Sequence, residues 1–180
     1  MSASRVLLVT GGSRGIGAAV ARQAGREGYA VAVNYLSGRD EAAAVVGEIE
    51  AGGGRALALQ ADTARPAEVT AMFEAVDAAF GPVTHLFNNA GITGPVRRLA
   101  ELEAGELERV MATNVNGVFL VAQAAVRRMS TAAGGAGGAI VNMSSRAGQL
   151  GGAGEWLHYA ASKGAVDTFT VGLAREVGGE

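Results

Sequence analysis

The sequence predicts an α/β fold of three layers, a doubly wound parallel sheet covered by helices on both faces. Three observations carry this. Short apolar runs of strand length alternate with longer helical stretches along the whole chain. The first of them, Arg5–Thr10, reads as a strand buried on both faces. The first run is followed at once by a glycine-rich turn that opens into a helix. Taken in order, Arg5–Thr10 is strand 1, and a helix follows the glycines through Glu27. Ala30–Asn34 is strand 2, with a helix over Asp40–Ala51. Arg55–Ala61 is strand 3, and Pro66 suits the first turn of a helix reaching Phe80. Val83–Asn88 is strand 4, and one long helix covers Ala104–Met129. A Gly/Ala loop, Thr131–Gly138, leads to strand 5 at Ala139–Ser144. A last helix starts near His158 and runs to the C-terminus. No long linker or solenoid repeat divides the chain, so residues 1–180 are expected to form one domain. Right-handed crossovers give the strand order 3-2-1-4-5, with ligands bound beyond the carboxyl ends of strands 1 and 4.

Composition narrows the function. With no cysteine among 180 residues, a disulfide scaffold, a Cys-ligated metal and a thiol nucleophile are excluded. A net charge of −2 leaves no basic surplus for duplex nucleic acid. No apolar run reaches membrane-spanning length and no secretory signal is present, so a cytoplasmic protein is expected. Twenty-eight glycines weaken any inference from one of them. Fourteen of the 15 basic residues are arginine, and Lys163 is the only lysine. A solitary lysine in such a chain invites a specific role.

The candidate chemistry lies just after strands. Thr10-Gly11-Gly12-Ser13-Arg14-Gly15-Ile16-Gly17 follows strand 1; glycines let the backbone approach a pyrophosphate whose charge the helix N-terminus favours. The alternative is an ordinary strand–helix turn. An NAD-selective site carries an acid at the end of strand 2, but the sequence there, Val33–Arg39, has none. Arg14, Ser37 and Arg39 are suited to clamp a 2′-phosphate, which favours NADP(H) over NAD(H); solvated arginines are the plainer option. Asp62, past strand 3, can accept from an adenine amino group or bond its own turn. Asn88-Asn89-Ala90-Gly91 ends strand 4, as cleft floor or as a simple turn.

Tyr159 and Lys163 stand one helical turn apart on one face. A tyrosine phenol titrates near pH 10, so acid/base work near neutrality needs a shift of about three units, part of which a fixed ammonium supplies. A half-exposed tyrosine beside a surface lysine is the competing reading. Ser144 and Ser145 end strand 5, where a hydroxyl serves either a substrate carbonyl or a helix cap. Asn114 falls inside the long helix although asparagine is a poor helix former.

The ordered set Thr10–Gly17, Asp62, Asn88–Gly91, Asn114, Ser145 and Tyr159/Lys163 resembles the short-chain dehydrogenase/reductase family over the whole chain. The resemblance implies a Rossmann fold and hydride transfer between a nicotinamide C4 and a carbonyl or alcohol carbon of a small-molecule substrate. It implies Tyr159 as general acid/base, Lys163 lowering its pKa and bonding the nicotinamide ribose, Ser145 polarising the carbonyl and Asn114 holding a relay water. The cofactor set becomes Gly11, Ser13, Arg14, Gly15, Ile16, Gly17, Ser37, Arg39, Asp62, Asn88, Ala90 and Gly91, with Tyr159 and Lys163. No metal is implied. Helices 104–129 and 158–178 are the surfaces through which the family commonly dimerises, so a homo-oligomer is expected.

Two departures accompany the resemblance. One residue more than the common family spacing separates Ser145 from Tyr159, and it falls in Gly151–His158, where Glu155, Trp156 and His158 are expected on the substrate side. His158 is expected to pack or shape the pocket, and His85 to be structural. Family members also run to roughly 250 residues, so strands 6 and 7 are expected to be missing and strand 5 to be an unpaired edge. Three readings compete: an NADP(H)-dependent oxidoreductase with all its catalytic side chains present, a cofactor-binding remnant without turnover, and an oligomerising subunit.

Overall fold

The computed structural model describes residues 5–180. Five parallel strands, β1 (Val6–Val9), β2 (Ala30–Tyr35), β3 (Arg55–Gln60), β4 (His85–Asn88) and β5 (Ala139–Asn142), form one sheet in the order β3-β2-β1-β4-β5. The predicted order is the observed one. Its topological switch lies between β1 and β4, which pair Leu7 with His85, Leu8 with Leu86 and Val9 with Phe87.

The helices are α1 (Gly15–Arg26), α2 (Arg39–Ala51), α3 (Pro66–Phe80), α4 (Ala104–Met111), α5 (Gly117–Met129), α6 (Ala147–Leu150) and α7 (Leu157–Val177). Alternate side chains of a strand point to opposite faces, and this divides the core. Val6 and Leu8 join Ala30 and Ala32 on the face covered by α3 and α5, with Phe73, Val76 and Val121. Leu7 and Val9 join Val31 and Val33 on the face covered by α1 and α2, with Ala21, Val45 and Ile49. Both faces of β1 and β2 are therefore dry, as their unbroken apolar runs predict.

Several elements depart from the sequence expectation. β1 ends before Thr10, whose hydroxyl takes the backbone N–H groups of Asn89 and Ala90. β5 ends at Asn142, before Ser144, whose hydroxyl bonds Lys163 O on α7, while β2 runs one residue further, to Tyr35. The expected single helix 104–129 is interrupted by a widened π turn at Ala112–Asn116. A short helix, α6, lies between strand 5 and the last helix, where the sequence suggested no element. Pro66 does open α3, and Gly81, with φ +89°, ends it.

At the far side of the sheet, β5 pairs only with β4 among the described residues, and Val141 on it is 57% exposed. His85 has partners that make it structural. Its Nδ1 lies 2.9 Å from Thr84 Oγ1, and its ring meets Tyr29 edge-on at 5.0 Å. Burial and the neighbouring Arg5 charge hold its pKa below the ordinary range.

Candidate active site

The carboxyl ends of β1 to β4 are stitched together by polar side chains. Thr10 Oγ1 accepts from the backbone N–H of Asn89 at 2.9 Å and of Ala90 at 3.0 Å. Asn89 Nδ2 donates back to Thr10 O at 2.9 Å and Gly11 O at 3.1 Å. Asn34, buried at the end of β2, accepts from Gly11 N–H at 3.4 Å and donates to Ala61 O at 3.0 Å. These bonds satisfy loop backbone groups that would otherwise be orphaned and fix three loops and the end of β2 around one cleft of about 680 Å³.

Two glycines make the close approaches. Gly11 adopts φ +62°, and a Cβ there would lie 3.0 Å from Ala90 Cα. A Cβ on Gly17 would lie 2.5 Å from Gly11 O and 2.7 Å from Asn89 Nδ2. Gly17 thus lets α1 press against the loop, while Gly15, with φ +55°, sits exposed at the helix start.

Of the residues expected around a cofactor, Gly11, Ser13, Arg14, Ile16, Ser37, Asp62, Ala90 and Gly91 line the cleft. Others lie elsewhere. Asn88 is buried beneath it, donating to Val118 O at 3.0 Å and Asn142 Oδ1 at 3.2 Å. Arg39 reaches Gln60 Oε1 at 3.5 Å. Asp62 uses Oδ1 to accept from Ala64 N–H at 2.9 Å, so the turn-bonding alternative is realised even as the residue borders the cleft. Sequence reasoning missed Asn34, Arg109 and Thr113, which also line it. A polar residue closing an apolar strand run was the available signal for Asn34; Arg109 looks like any solvated helix residue.

Lys163 sits behind the wall at Gly91. A Cβ on Gly91 would lie 3.6 Å from its Nζ and 3.3 Å from Asn114 Oδ1. The lysine is only 3% exposed, and Nζ donates to Met143 O at 2.7 Å. Burial pushes its pKa below the usual lysine range, opposed by the Asp167 charge. The ammonium lies 5.8 Å from the centre of the Tyr159 ring.

Asn114 is held on all sides. Its Oδ1 accepts from Ile92 N–H at 2.8 Å, and Nδ2 donates to Ile92 O at 2.8 Å and Ser162 Oγ at 3.0 Å. The π turn around it is the local distortion that brings this amide between α7 and the loop after β4, and such turns recur at functional sites. Its side chain has no donor left for a water. Ser144 donates to Lys163 O at 3.3 Å. Ser145 Oγ accepts from Ala147 N–H at 3.2 Å, and its proton has no acceptor among the described residues. His158 is buried, with its Nε2 against Gly94. Chemically, the assembly offers a glycine-walled cleft with an arginine at its mouth and, behind Gly91, a tyrosine beside a buried ammonium.

Comparison with known proteins decides the family. A short chain dehydrogenase family model matches residues 5–180. The chain belongs to the short-chain dehydrogenase family. Among its relatives, the uncharacterized oxidoreductase YgfF of Escherichia coli is 50% identical over 172 residues, 96% of this chain and 70% of that protein. The 3-oxoacyl-[acyl-carrier-protein] reductase FabG of Staphylococcus aureus is 42% identical over 177 residues, 98% of this chain and 70% of that protein. A short chain dehydrogenase from Burkholderia cenocepacia, solved in complex with NADP, superposes with TM-score 0.88 at 40% identity, over 97% of this chain and 69% of that one. The NADH-dependent reductase A1-R′ in complex with NAD superposes with TM-score 0.89 at 26% identity, over 96% and 73%. The family's Rossmann-like fold is therefore the fold of this chain, and its class of activity is oxidoreductase. Among the described residues, no helix is long and apolar enough to cross a membrane.

Proposed function

We propose that the protein interconverts a carbonyl and an alcohol on a small-molecule substrate using NADP(H), with Tyr159 as the general acid/base. The observation that carries this is the buried Lys163 ammonium, close to the Gly91 wall of the cleft and 5.8 Å from the centre of the Tyr159 ring. The donor set fits a dinucleotide. Glycines stand where a Cβ would collide with the loop, and α1 points its N-terminus at the cleft. The unpaired backbone N–H groups there favour phosphate. Arg14 and Ser37 at the same rim favour a 2′-phosphate over a bare ribose, with Arg39 in reserve at the first residue of α2. The Burkholderia relative binds NADP and the more distant reductase NAD, so the preference here rests on these arginines and on the missing acid.

When bound, the cofactor supplies or accepts the hydride at the substrate carbon. The chain's residues handle everything else. Tyr159 donates its phenolic proton to the carbonyl oxygen as the alcohol forms, and removes it in the reverse direction. The Lys163 ammonium stabilises the phenolate left behind and has further N–H donors for ribose hydroxyls. Ser145, whose proton is uncommitted, donates to the same substrate oxygen. Asn114 commits its amide donors to locking Ile92 to α7, which keeps wall and acid/base helix in register, and its Oδ1 keeps a lone pair to hold a relay water.

The exposed faces of α5 and α7 suit a second copy of the chain. Phe119, 49% exposed, stacks on Phe169 at 4.0 Å, with Val171 52% exposed nearby in sequence. The relationship to a 3-oxoacyl reductase makes ethyl acetoacetate, a β-keto ester, the first probe. Oxidation of NADPH on its addition supports the proposal. NADPH binding with no turnover of any ketone, aldehyde or β-keto ester would reduce the protein to a cofactor-binding subunit.

A further inference from the structure

Residues 92–97 run between the cofactor cleft and the start of α7, and they are fastened at both ends. At Ile92 the Asn114 amide grips the backbone through two hydrogen bonds of 2.8 Å. At Arg97 the backbone N–H donates to Glu155 O at 2.9 Å. Arg97 also bridges Trp156, and its Nε lies 3.7 Å from Glu106 Oε2. In the middle, Gly94 adopts φ +71° and rests on the imidazole of His158. A Cβ at position 94 would lie 2.6 Å from His158 Nε2 and 3.0 Å from Val110 Cγ2. Ile92 and Gly94 both line the cleft.

His158 is buried, yet its Nε2 has no hydrogen-bond partner. A buried ring nitrogen left unpaired costs free energy rather than supplying it. What the ring contributes at this position is therefore its shape, a flat prop under a glycine that has no side chain to spare. We propose that His158 is a positioning residue: its ring seats residues 92–97 through Gly94, and so sets the cleft wall formed by Ile92 and Gly94, one residue from Tyr159. This rests on the cleft being an NADP(H) site, and the test separates the two.

Trp156, the only tryptophan in the chain, bridges Arg97 and has its Nε1 buried, so its fluorescence reports whether the segment is seated. The emission maximum of the free protein and the affinity for NADP⁺ by calorimetry are measured for wild type and variants. The variants are His158→Ala, His158→Phe, Gly94→Ala and the His158→Ala/Gly94→Ala pair. The oxidised cofactor leaves tryptophan emission clear. His158→Ala should red-shift the emission and weaken NADP⁺ about tenfold, within the coupling range of residues in contact. His158→Phe, which keeps the ring and removes the unpaired nitrogen, should match wild type in both readings. Gly94→Ala should weaken binding alone but cost less in the His158→Ala background, because its contact with the imidazole is then gone while its approach to Val110 Cγ2 remains in both. Strain at φ +71° is common to both backgrounds and cancels. Unchanged emission with affinity within about twofold of wild type in His158→Ala, or losses that simply multiply, would overturn the proposal. If the alanine variant does not fold, a tenfold loss in His158→Phe overturns it and wild-type behaviour supports it. A wild type that binds no NADP⁺ instead refutes the cofactor assignment, while the emission cycle still decides whether His158 seats the segment.

Discussion

Replacing Lys163 with Met removes one charge and keeps a side chain of similar length in a site that is 3% exposed. In wild type the ammonium lies 5.8 Å from the Tyr159 ring centre. At an effective dielectric of about 20, a charge on that ring at this distance is stabilised by about 3 kcal/mol. If the phenolate forms in the rate-limiting step, losing that attraction slows kcat/KM by about two orders of magnitude. The loss should fall mainly on kcat, because it is made in the transition state, with a smaller rise in the KM for NADPH from the missing ribose donor. Steady-state reduction of ethyl acetoacetate measures both. A loss below about threefold in kcat, or one confined to the NADPH KM, would show that the lysine only binds cofactor.

The remaining predictions concern stability, the glycine loop and cofactor choice. Burial lowers the Lys163 pKa in the folded protein below its ordinary 10.5. Between the lowered value and 10.5, the unfolded chain holds a proton that the native state has released, so stability rises with pH across that window. Denaturant unfolding at several pH values should show this rise in wild type and lose it in Lys163→Met; an identical slope would refute it. Gly17→Ala places a methyl group 2.5 Å from Gly11 O. The backbone must shift, which costs about 1–3 kcal/mol, and NADP⁺ affinity should fall with it; calorimetry and thermal melts check both. Arg14→Ala, and to a lesser degree Arg39→Ala, should weaken NADPH more than NADH, by about tenfold for Arg14 as the loss of one charge-assisted hydrogen bond implies. Equal losses for both cofactors would remove the arginines from the 2′-phosphate assignment.

Much of the fold was legible because burial on both faces writes a strand as an unbroken apolar run, and β1 and β2 are buried on both faces. Pro66 and Gly81 punctuate α3 for local reasons, a preset φ at one end and a left-handed turn at the other. The π turn at Ala112–Asn116 was not legible, since Ala-Thr-Asn-Val-Asn continues a helical pattern and only the tertiary pull of Asn114 on Ile92 and Ser162 widens it. The site was legible as a set of side chains and much less so as a geometry. Asn88 reads like its neighbours Asn89 and Ala90, yet strand alternation turns it under the sheet toward Val118 and Asn142. Arg39 and Arg14 have the same composition signal, and only the fold shows that Arg14 borders the cleft while Arg39 leans on Gln60. Lys163 was singled out by rarity, and its burial supplied the physical reason.

Tyr159→Phe deletes one oxygen atom, and its effect tests the proposed chemistry most directly. The phenylalanine variant should bind NADP⁺ with near-wild-type affinity, retain the fold and lose turnover of ethyl acetoacetate by at least about two orders of magnitude, the lower end of what a general acid contributes. Turnover within about tenfold of wild type would contradict the assignment, for the proton would then have to come from another group.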